Sequence, residues 1–473
     1  MSGWTAGRLE GELVVDVGRT LWQYCHTLRH DGMDYGEYLD QLTYLLFLKM
    51  ADERSLDLPL GTGWGELVAS ADDRLLSSYG RMLARLKESD GLVGDIFSAS
   101  ASAFSHAESL RRVIRLLDQV KWASLPSDVQ ADAFEYLLEQ AAAEGKKGAG
   151  QYFTPRALIE SIVACMRPGA LATDRLVSDP AAGTGGFLVA AHMWAETNIM
   201  TASPNPTMRR LKYHGTELVA RPRRLGLMNL MLHGVNEPRI DHADAIYGDP
   251  STELYDVILT NPPFGAKGGQ PPFRPEFWAR TGIKQINFAQ HVVHTLRDGG
   301  RAAIVLPDNC FFGDGARILW PELVQRCDVH TVLRLPVGTF APYTAGTKTN
   351  VVFLTKGRPT NGIWIYDARS GMQPASKLRP LTANTLAEFE VCYGPDPTGM
   401  SPRDRDQSSV GRWNAFSAAE LGKCGFEPDR LPWRAGTKYG NQRTPAGFLL
   451  GDILIDLDAA AEDVRTLIKE LED

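Results

Sequence analysis

Asn261-Pro262-Pro263-Phe264 follows directly on the apolar run Tyr255–Thr260. A run of that kind reads as a strand of an open α/β sheet, whose carboxyl end delivers residues to the ligand crevice. Two consecutive prolines hold φ near about −65° and donate no N–H, so the loop is stiff and its carbonyls are free to face a ligand. The Asn261 side chain adds a second acceptor, and two converging acceptors match an exocyclic NH2, which has two hydrogens to give. Phe264 supplies a flat face on which a planar base drawn from a duplex recovers stacking worth roughly 1–3 kcal/mol. The four residues alone leave a second reading open, a proline-stiffened turn whose Asn caps the next helix.

A second cluster lies upstream. Leu176–Asp179 reads as a short buried strand running into Pro180-Ala-Ala-Gly183-Thr184-Gly185-Gly186, after which apolar helical spacing resumes through Val189, Ala190 and Ala191. Glycines at such a turn let the backbone approach a ligand, and the following helix points N–H groups at it. The spacing of Gly183, Gly185 and Gly186 is not that of the dinucleotide fingerprint, which makes phosphate cradling the weaker reading. The next strand, Tyr213–Thr216, ends in Glu217, placed to accept two ribose hydroxyl hydrogen bonds, and a third segment ends in Asp244, a carboxylate suited to an adenine amino group. A glycine turn alone is as well explained by packing. Three successive strand ends carrying these residues describe a nucleoside pocket.

Here the chain resembles a family. Asp179 to Gly186 looks like the S-adenosylmethionine motif, and Asn261 to Phe264 like the catalytic motif, of amino-methylating DNA methyltransferases. Gly148-Ala-Gly150-Gln151-Tyr152-Phe153-Thr154-Pro155-Arg156 resembles the segment that closes over the methionine end of the cofactor in the branch that makes N6-methyladenine. Leu21-Trp22, Leu28-Arg29, Leu45–Lys49, Leu306-Pro307-Asp308, Leu335-Pro336 and Thr347–Thr355 further resemble the modification subunit of type I restriction-modification systems. The likeness runs from about residue 15 to 365.

The resemblance implies that Gln151, Tyr152, Phe153, Thr154, Pro155, Arg156, Asp179, Gly183, Thr184, Gly185, Gly186, Glu217 and Asp244 contact S-adenosylmethionine. Asn261 and the Pro262 carbonyl would hold the target amino group, with Pro263 stiffening the loop. Phe264 stands where many relatives have Tyr, which keeps the stacking face. Hydrogen bonds to the amino group would draw its nitrogen toward tetrahedral geometry and expose its lone pair to the sulfonium methyl, so positioning and polarisation carry the rate. The resemblance also implies two copies of this chain on one specificity subunit, an ATP-driven nuclease subunit, double-stranded DNA as substrate, and a role in defence against foreign DNA.

These residues need a scaffold. Residues 1–143 read as a helical domain: Leu39, Leu42, Leu45, Leu46 and Met50 fall at helical spacing, as do Leu110, Val113, Ile114, Leu117 and Val120, and a third helix is expected from the cap Ser127. Glu144–Gly150 breaks that periodicity as a hinge. Residues 144–370 are then an α/β, Rossmann-like methyltransferase domain, with further strands expected at Ala302–Leu306, His330–Arg334, Val351–Leu354 and Ile363–Tyr366. The Gly/Pro-rich stretch Gly265–Pro272 is a candidate DNA-contacting loop, with plain surface flexibility the other reading. Residues 371–473 form a C-terminal region ending in an amphipathic helix, Asp456–Leu471, which in the resembling family docks on the specificity subunit.

At 473 residues and 44% hydrophobic content the chain can fill sizeable cores. Net charge is −7, and the short basic runs Lys146-Lys147, Arg209–Lys212 and Arg221–Arg224 offer little for phosphates. The last two would form a local patch or, more simply, solvated helix faces. Since phosphate neutralisation by Lys and Arg drives DNA affinity, a partner must supply much of the grip. Six scattered cysteines form no paired metal spacing and read as reduced structural thiols. His291 and His294 share a helix face without a third ligand, and a structural role is expected. The sequence shows neither a membrane-spanning stretch nor a signal pattern, so a cytoplasmic enzyme is expected. The rival readings are an RNA or protein amino-group methyltransferase, a methylase borrowed by another phage-defence system, and a noncatalytic scaffold.

Overall fold

The computed structural model describes residues 22, 32–56, 58–122, 136–137, 154–200, 211–235, 237–249, 251–264, 272, 274–340, 347–369, 375, 380–408, 411–427 and 430–431. In chain order they form α1 (Tyr35–Glu53), α2 (Trp64–Ala69), α3 (Asp72–Lys87), α4 (Gly91–Phe97), α5 (Ala107–Asp118), α6 (Arg156–Met166), β1 (Leu176–Asp179), α7 (Gly186–Ala195), β2 (Lys212–Glu217), α8 (Ala220–Leu232) and β3 (Arg239–His242). There follow β4 (Tyr255–Thr260), α9 (Lys284–Thr295), β5 (Leu296–Pro307), α10 (Gly313–Arg326), β6 (Cys327–Arg334), β7 (Thr349–Lys356), β8 (Gly362–Asp367), α11 (Ala383–Tyr393), β9 (Trp413–Ser417) and α12 (Ala418–Lys423). The chain divides into two compact units: Met1–Phe153 with Ala182–Met193 and Tyr213–Ala243, and Thr154–Ala181 with Trp194–Lys212 and Asp244–Asp473.

In the first unit α1 begins at a capping box. Asp34 accepts from the Glu37 N–H at 2.7 Å and Glu37 returns the bond to the Asp34 N–H at 3.0 Å, which satisfies two donors that a helix start leaves open. Leu39, Leu42, Leu45, Leu46 and Met50 are buried along it, as their spacing predicts. On α5 the same holds for Leu110, Val113, Ile114 and Leu117, but the helix ends at Asp118 and Val120 lies beyond it. Asp118 is the meeting point of the bundle: Lys49 Nζ reaches it at 2.9 Å and Trp64 Nε1 at 3.0 Å.

The parallel pair β2 and β3 is flanked by α8, and here the basic run departs from both expectations. Arg223 and Arg224 are neither a phosphate patch nor a solvated face. Arg224 is buried, paired with Asp40 and stacked on Tyr44 at 4.3 Å, and Arg223 reaches Asp95 at 2.9 Å and the Ile240 carbonyl at 2.6 Å. Half-exposed Arg221 also pairs with Asp40, at 2.8 Å. The charges serve to fasten the N-terminal helices to α8.

The second unit holds strands in the order β1-β4-β5-β7-β6-β8-β9. β1, β4 and β5 run parallel, so their carboxyl ends share one edge, while β7 lies antiparallel between β5 and β6. The four strands expected in this stretch fall within β5, β6, β7 and β8. β9 was not expected; it adds antiparallel to β8 and carries Trp413, stacked on Trp364 at 4.9 Å. Ile258, Ile304, Val352, Val332 and Ile363 run through the core beneath α9 and α10. A buried fork joins the sheet to α6: Arg301 reaches Asp174 at 2.7 and 2.9 Å and takes the Met166 carbonyl at the helix end. That fork fixes the helix whose opposite end follows Thr154. Among the described residues no helix is long and apolar enough to cross a membrane.

Candidate active site

β1 and β4 are parallel neighbours, with Ser178 opposite Ile258, so Asp179 and Asn261 leave the sheet at the same edge. Asp179 turns the chain by accepting from the Ala181 N–H at 3.0 Å. Asn261 is 5% exposed, and its Nδ2 donates to the Thr154 hydroxyl at 2.9 Å. That bond fixes the amide and leaves Oδ1 buried with no hydrogen-bond partner among the described residues. A buried acceptor left unbonded costs about 1–3 kcal/mol, and a target amino group would satisfy it. Pro262 is buried, while Pro263 and Phe264 are partly exposed. Phe264 meets the edge of Phe340 at 5.3 Å and 83°, which braces one ring against the other. Asp244 Oδ1 accepts from the N–H groups of Ile246 and Tyr247 at 2.8 and 2.9 Å, and buried Arg274 holds the Ala245 carbonyl at 3.0 Å.

In the first unit the glycine turn is built against β2 and α8. Gly183 and Gly185 have φ of 53° and 79°, a region that favours glycine. Gly183 N–H donates to Glu217 Oε2 at 2.9 Å and Val219 N–H to Oε1 at 2.8 Å, so the carboxylate is held with both oxygens oriented and each keeps a lone pair for a hydroxyl. Asn229 Nδ2 donates to the Thr184 carbonyl at 3.1 Å. Gly226 lets α8 approach: a Cβ there would stand 3.1 Å from Gly183 O and 3.2 Å from Gly185 N. An open backbone turn beside an oriented carboxylate fits the nucleoside end of S-adenosylmethionine.

Pro155 and Arg156 lead into α6, where Arg156 pairs with Glu160 at 2.8 Å on a half-exposed face. Gln151, Tyr152 and Phe153, the expected hinge, residues 127–135 of the helix expected from Ser127, residues 265–271 of the Gly/Pro-rich loop and the expected terminal helix lie outside the described residues. Leu306-Pro307-Asp308 and Thr349-Asn350 meet in one ion-pair node. Arg369 grips Asp308 at 2.6 and 2.7 Å, and Asn350 Nδ2 adds a bond to it at 2.7 Å. Burial pushes the Asp308 carboxyl up, but the Arg369 bonds and charge outweigh it and hold the group below its ordinary range. His291 is buried and its pKa falls to about 3, chiefly through burial and then through Arg274. Phe340, Gln285 and the Thr154 to Asn261 bond carried no local sequence signal.

A family model described as N-6 DNA Methylase matches residues 126–416, and one described as the HsdM N-terminal domain matches residues 17–58. The fold is that of an S-adenosylmethionine-dependent methyltransferase of the α/β class. The chain is 37% identical over 436 residues to the type I restriction enzyme EcoKI methylase subunit of Escherichia coli K12, covering 86% of this chain and 80% of that one. The crystal structure of the EcoKI M protein superposes with a TM-score of 0.53 at 30% identity, over 97% of this chain and 96% of that one. A chain from a structure describing complex assembly and conformational transition of a type I R-M system gives 0.72 at 26% identity, over 97% of each. The chain belongs to the N-6 DNA methylase family, among the methylase subunits of type I restriction enzymes. It is an adenine-specific DNA methyltransferase whose methyl donor is S-adenosylmethionine.

Proposed function

We propose that Asn261 Oδ1 and the Pro262 carbonyl accept the two hydrogens of a flipped adenine N6 amino group while Phe264 stacks on its ring and Pro263 keeps the loop stiff. The observation that carries this reading is the oriented Asn261 amide, with Nδ2 engaged by Thr154 and Oδ1 buried without a partner. The bound cofactor supplies an electrophilic methyl. Glu217 would accept from its ribose hydroxyls, Asp244 Oδ2 from its adenine amino group, and the backbone at Gly183, Thr184, Gly185 and Gly186 would approach it closely. Asp179 and residues Gln151 to Arg156 would hold its methionine end. Two acceptors on the amino group draw its nitrogen toward tetrahedral geometry, and a fixed loop makes no reorganisation during transfer.

The relatives are named as parts of type I restriction enzymes, which supports the same assembly for this chain: two copies on one specificity subunit, joined by a nuclease subunit, acting on double-stranded DNA in the cytoplasm. The domains proposed for it are residues 1–143, 144–370 and 371–473, the last carrying the helix that docks on the specificity subunit. The net charge of −7 fits an enzyme that depends on a partner for its hold on DNA. The test is methylation-aware sequencing of DNA from cells carrying the native gene cluster beside the same cluster with Asn261→Ala. A single bipartite motif bearing N6-methyladenine that disappears in the variant is the expected result. Adenine methylation unchanged by the substitution would remove Asn261 from the reaction.

A further inference from the structure

α9 is buried on nearly all sides, yet three of its core positions are amides: Gln285, Asn287 and Gln290, each 1% exposed. A buried amide without a partner is costly, so such residues persist where they hold something. Here each one holds a backbone carbonyl of the segment that runs from the catalytic loop back to the helix. Gln290 Nε2 donates to Ala279 O at 3.0 Å and its Oε1 accepts from Ala279 N at 2.8 Å, while Asn287 Nδ2 donates to Thr281 O at 2.9 Å. These two secure the segment where it enters the helix. Gln285 alone reaches the motif: its Nε2 donates to Pro263 O at 2.9 Å.

We propose that Gln285 is a positioning residue for methyl transfer, engaging the Pro263 carbonyl so that Asn261 and Pro262 present the loop's acceptors to the target amino group. The inference rests on the role proposed above for the Asn261 loop. Prolines supply no N–H, so a Pro-Pro loop cannot be pinned through its own donors at these two positions. At Pro262 and Pro263 a backbone hydrogen bond from outside can reach only the carbonyls. Gln285 does this at Pro263, one residue past the carbonyl that the reaction uses, and Thr154 holds the loop from the other side through the Asn261 amide. With Pro263 O occupied, the amino group has one set of acceptors and one geometry. A loop released by even about 1 Å loses on the order of a hundredfold in rate.

The experiment is steady-state methylation by the enzyme purified with its native partner subunits, on DNA carrying its recognition site, together with S-adenosylmethionine binding. Gln285→Leu is expected to lower kcat roughly 10- to 100-fold while the affinity for S-adenosylmethionine stays within about twofold. Gln290→Leu removes an amide from the same helix that does not touch the motif, and its kcat is expected to fall much less. Wild-type kcat in Gln285→Leu, or equal losses in the two variants, would overturn the proposal. Gln285→Glu decides the matter if the Leu variant does not fold. A buried carboxyl keeps its proton more readily than an exposed one, and only the protonated form can donate to Pro263 O. Its activity relative to wild type should therefore rise as pH falls, which a packing defect would not produce, and a constant ratio would count against the proposal. Asn261→Ala in the same assay separates the two levels. Retained methylation there would sink the loop's role itself, whereas a dead Asn261→Ala beside a fully active Gln285→Leu would remove only Gln285.

Discussion

Asn261 Nδ2 donates to Thr154 Oγ1 at 2.9 Å, joining residues 107 positions apart. A hydroxyl that accepts from the amide still has its own hydrogen to give, so Thr154 orients Asn261 and can donate at the same time to the carboxylate end of a cofactor. The same bond decides which end of the amide stays open, since the engaged nitrogen leaves Oδ1 as the acceptor.

Replacing that hydroxyl tests the orientation directly. Thr154→Val keeps the shape and removes the acceptor, and the Asn261 amide can then turn its nitrogen toward the target. Methylation kinetics should show kcat lowered roughly 10- to 100-fold, with recovery in Thr154→Ser. If Thr154 also touches the cofactor, KM for S-adenosylmethionine rises in the Val variant and recovers in the Ser variant. An unchanged kcat in Thr154→Val would mean that the bond does not orient the amide during turnover.

A second test concerns the glycine turn. Gly226 sits on α8 where a Cβ would meet Ile240 Cδ1 at 2.7 Å and stand 3.1 Å from Gly183 O, so Gly226→Ala must displace the Ile240 side chain or the turn. Overpacking of this kind destabilises by about 1–3 kcal/mol. Because the displaced atoms carry the turn that is bonded to Glu217, calorimetric titration should show weaker S-adenosylmethionine binding along with a lower Tm. Weaker folding with unaltered cofactor affinity would show that Ile240 yields and the turn does not.

The residues at strand ends were legible because the chemistry is local there. A strand followed by glycines, a carboxylate or Asn-Pro-Pro-Phe is a contiguous pattern, and β1, β2 and β4 end where those patterns begin. Contacts made by the fold were not legible. Arg223 and Arg224 look like a basic run, and only the packing of α8 against the N-terminal helices reveals Asp40 and Asp95 as their partners. The amides of α9 look like ordinary polar positions of an amphipathic helix, and periodicity cannot tell that both faces are covered. β9 escaped because Trp413-Asn-Ala-Phe-Ser417 is only five residues long and lacks the strict alternation that marks a strand.

Asp308 and Arg369 make the last prediction, one in pH. Asp308 follows β5, whose Pro307 is paired with Thr349 of β7, and the Arg369 fork also takes the Thr349 carbonyl at 2.9 Å and the Leu335 carbonyl at 3.2 Å. One ion pair thus gathers the ends of β5, β6 and β7 at the edge from which the Asn261–Phe264 loop leaves. Burial alone would raise the Asp308 carboxyl, yet the bonds and charge of Arg369 dominate and lower it. A carboxyl held lower in the folded state stabilises the fold at every pH above its unfolded value of about 3.9, and that contribution is lost as pH falls through the lowered folded value. Asp308→Asn should therefore be less stable at neutral pH, by about 2–3 kcal/mol, which discounts the 3–5 kcal/mol of a fully buried pair for the partial exposure of this one. Its disadvantage should shrink as the solution is acidified below about pH 4. Denaturant unfolding of both proteins across that range measures it, and a gap that stays constant with pH would show that the carboxylate charge contributes nothing to the node.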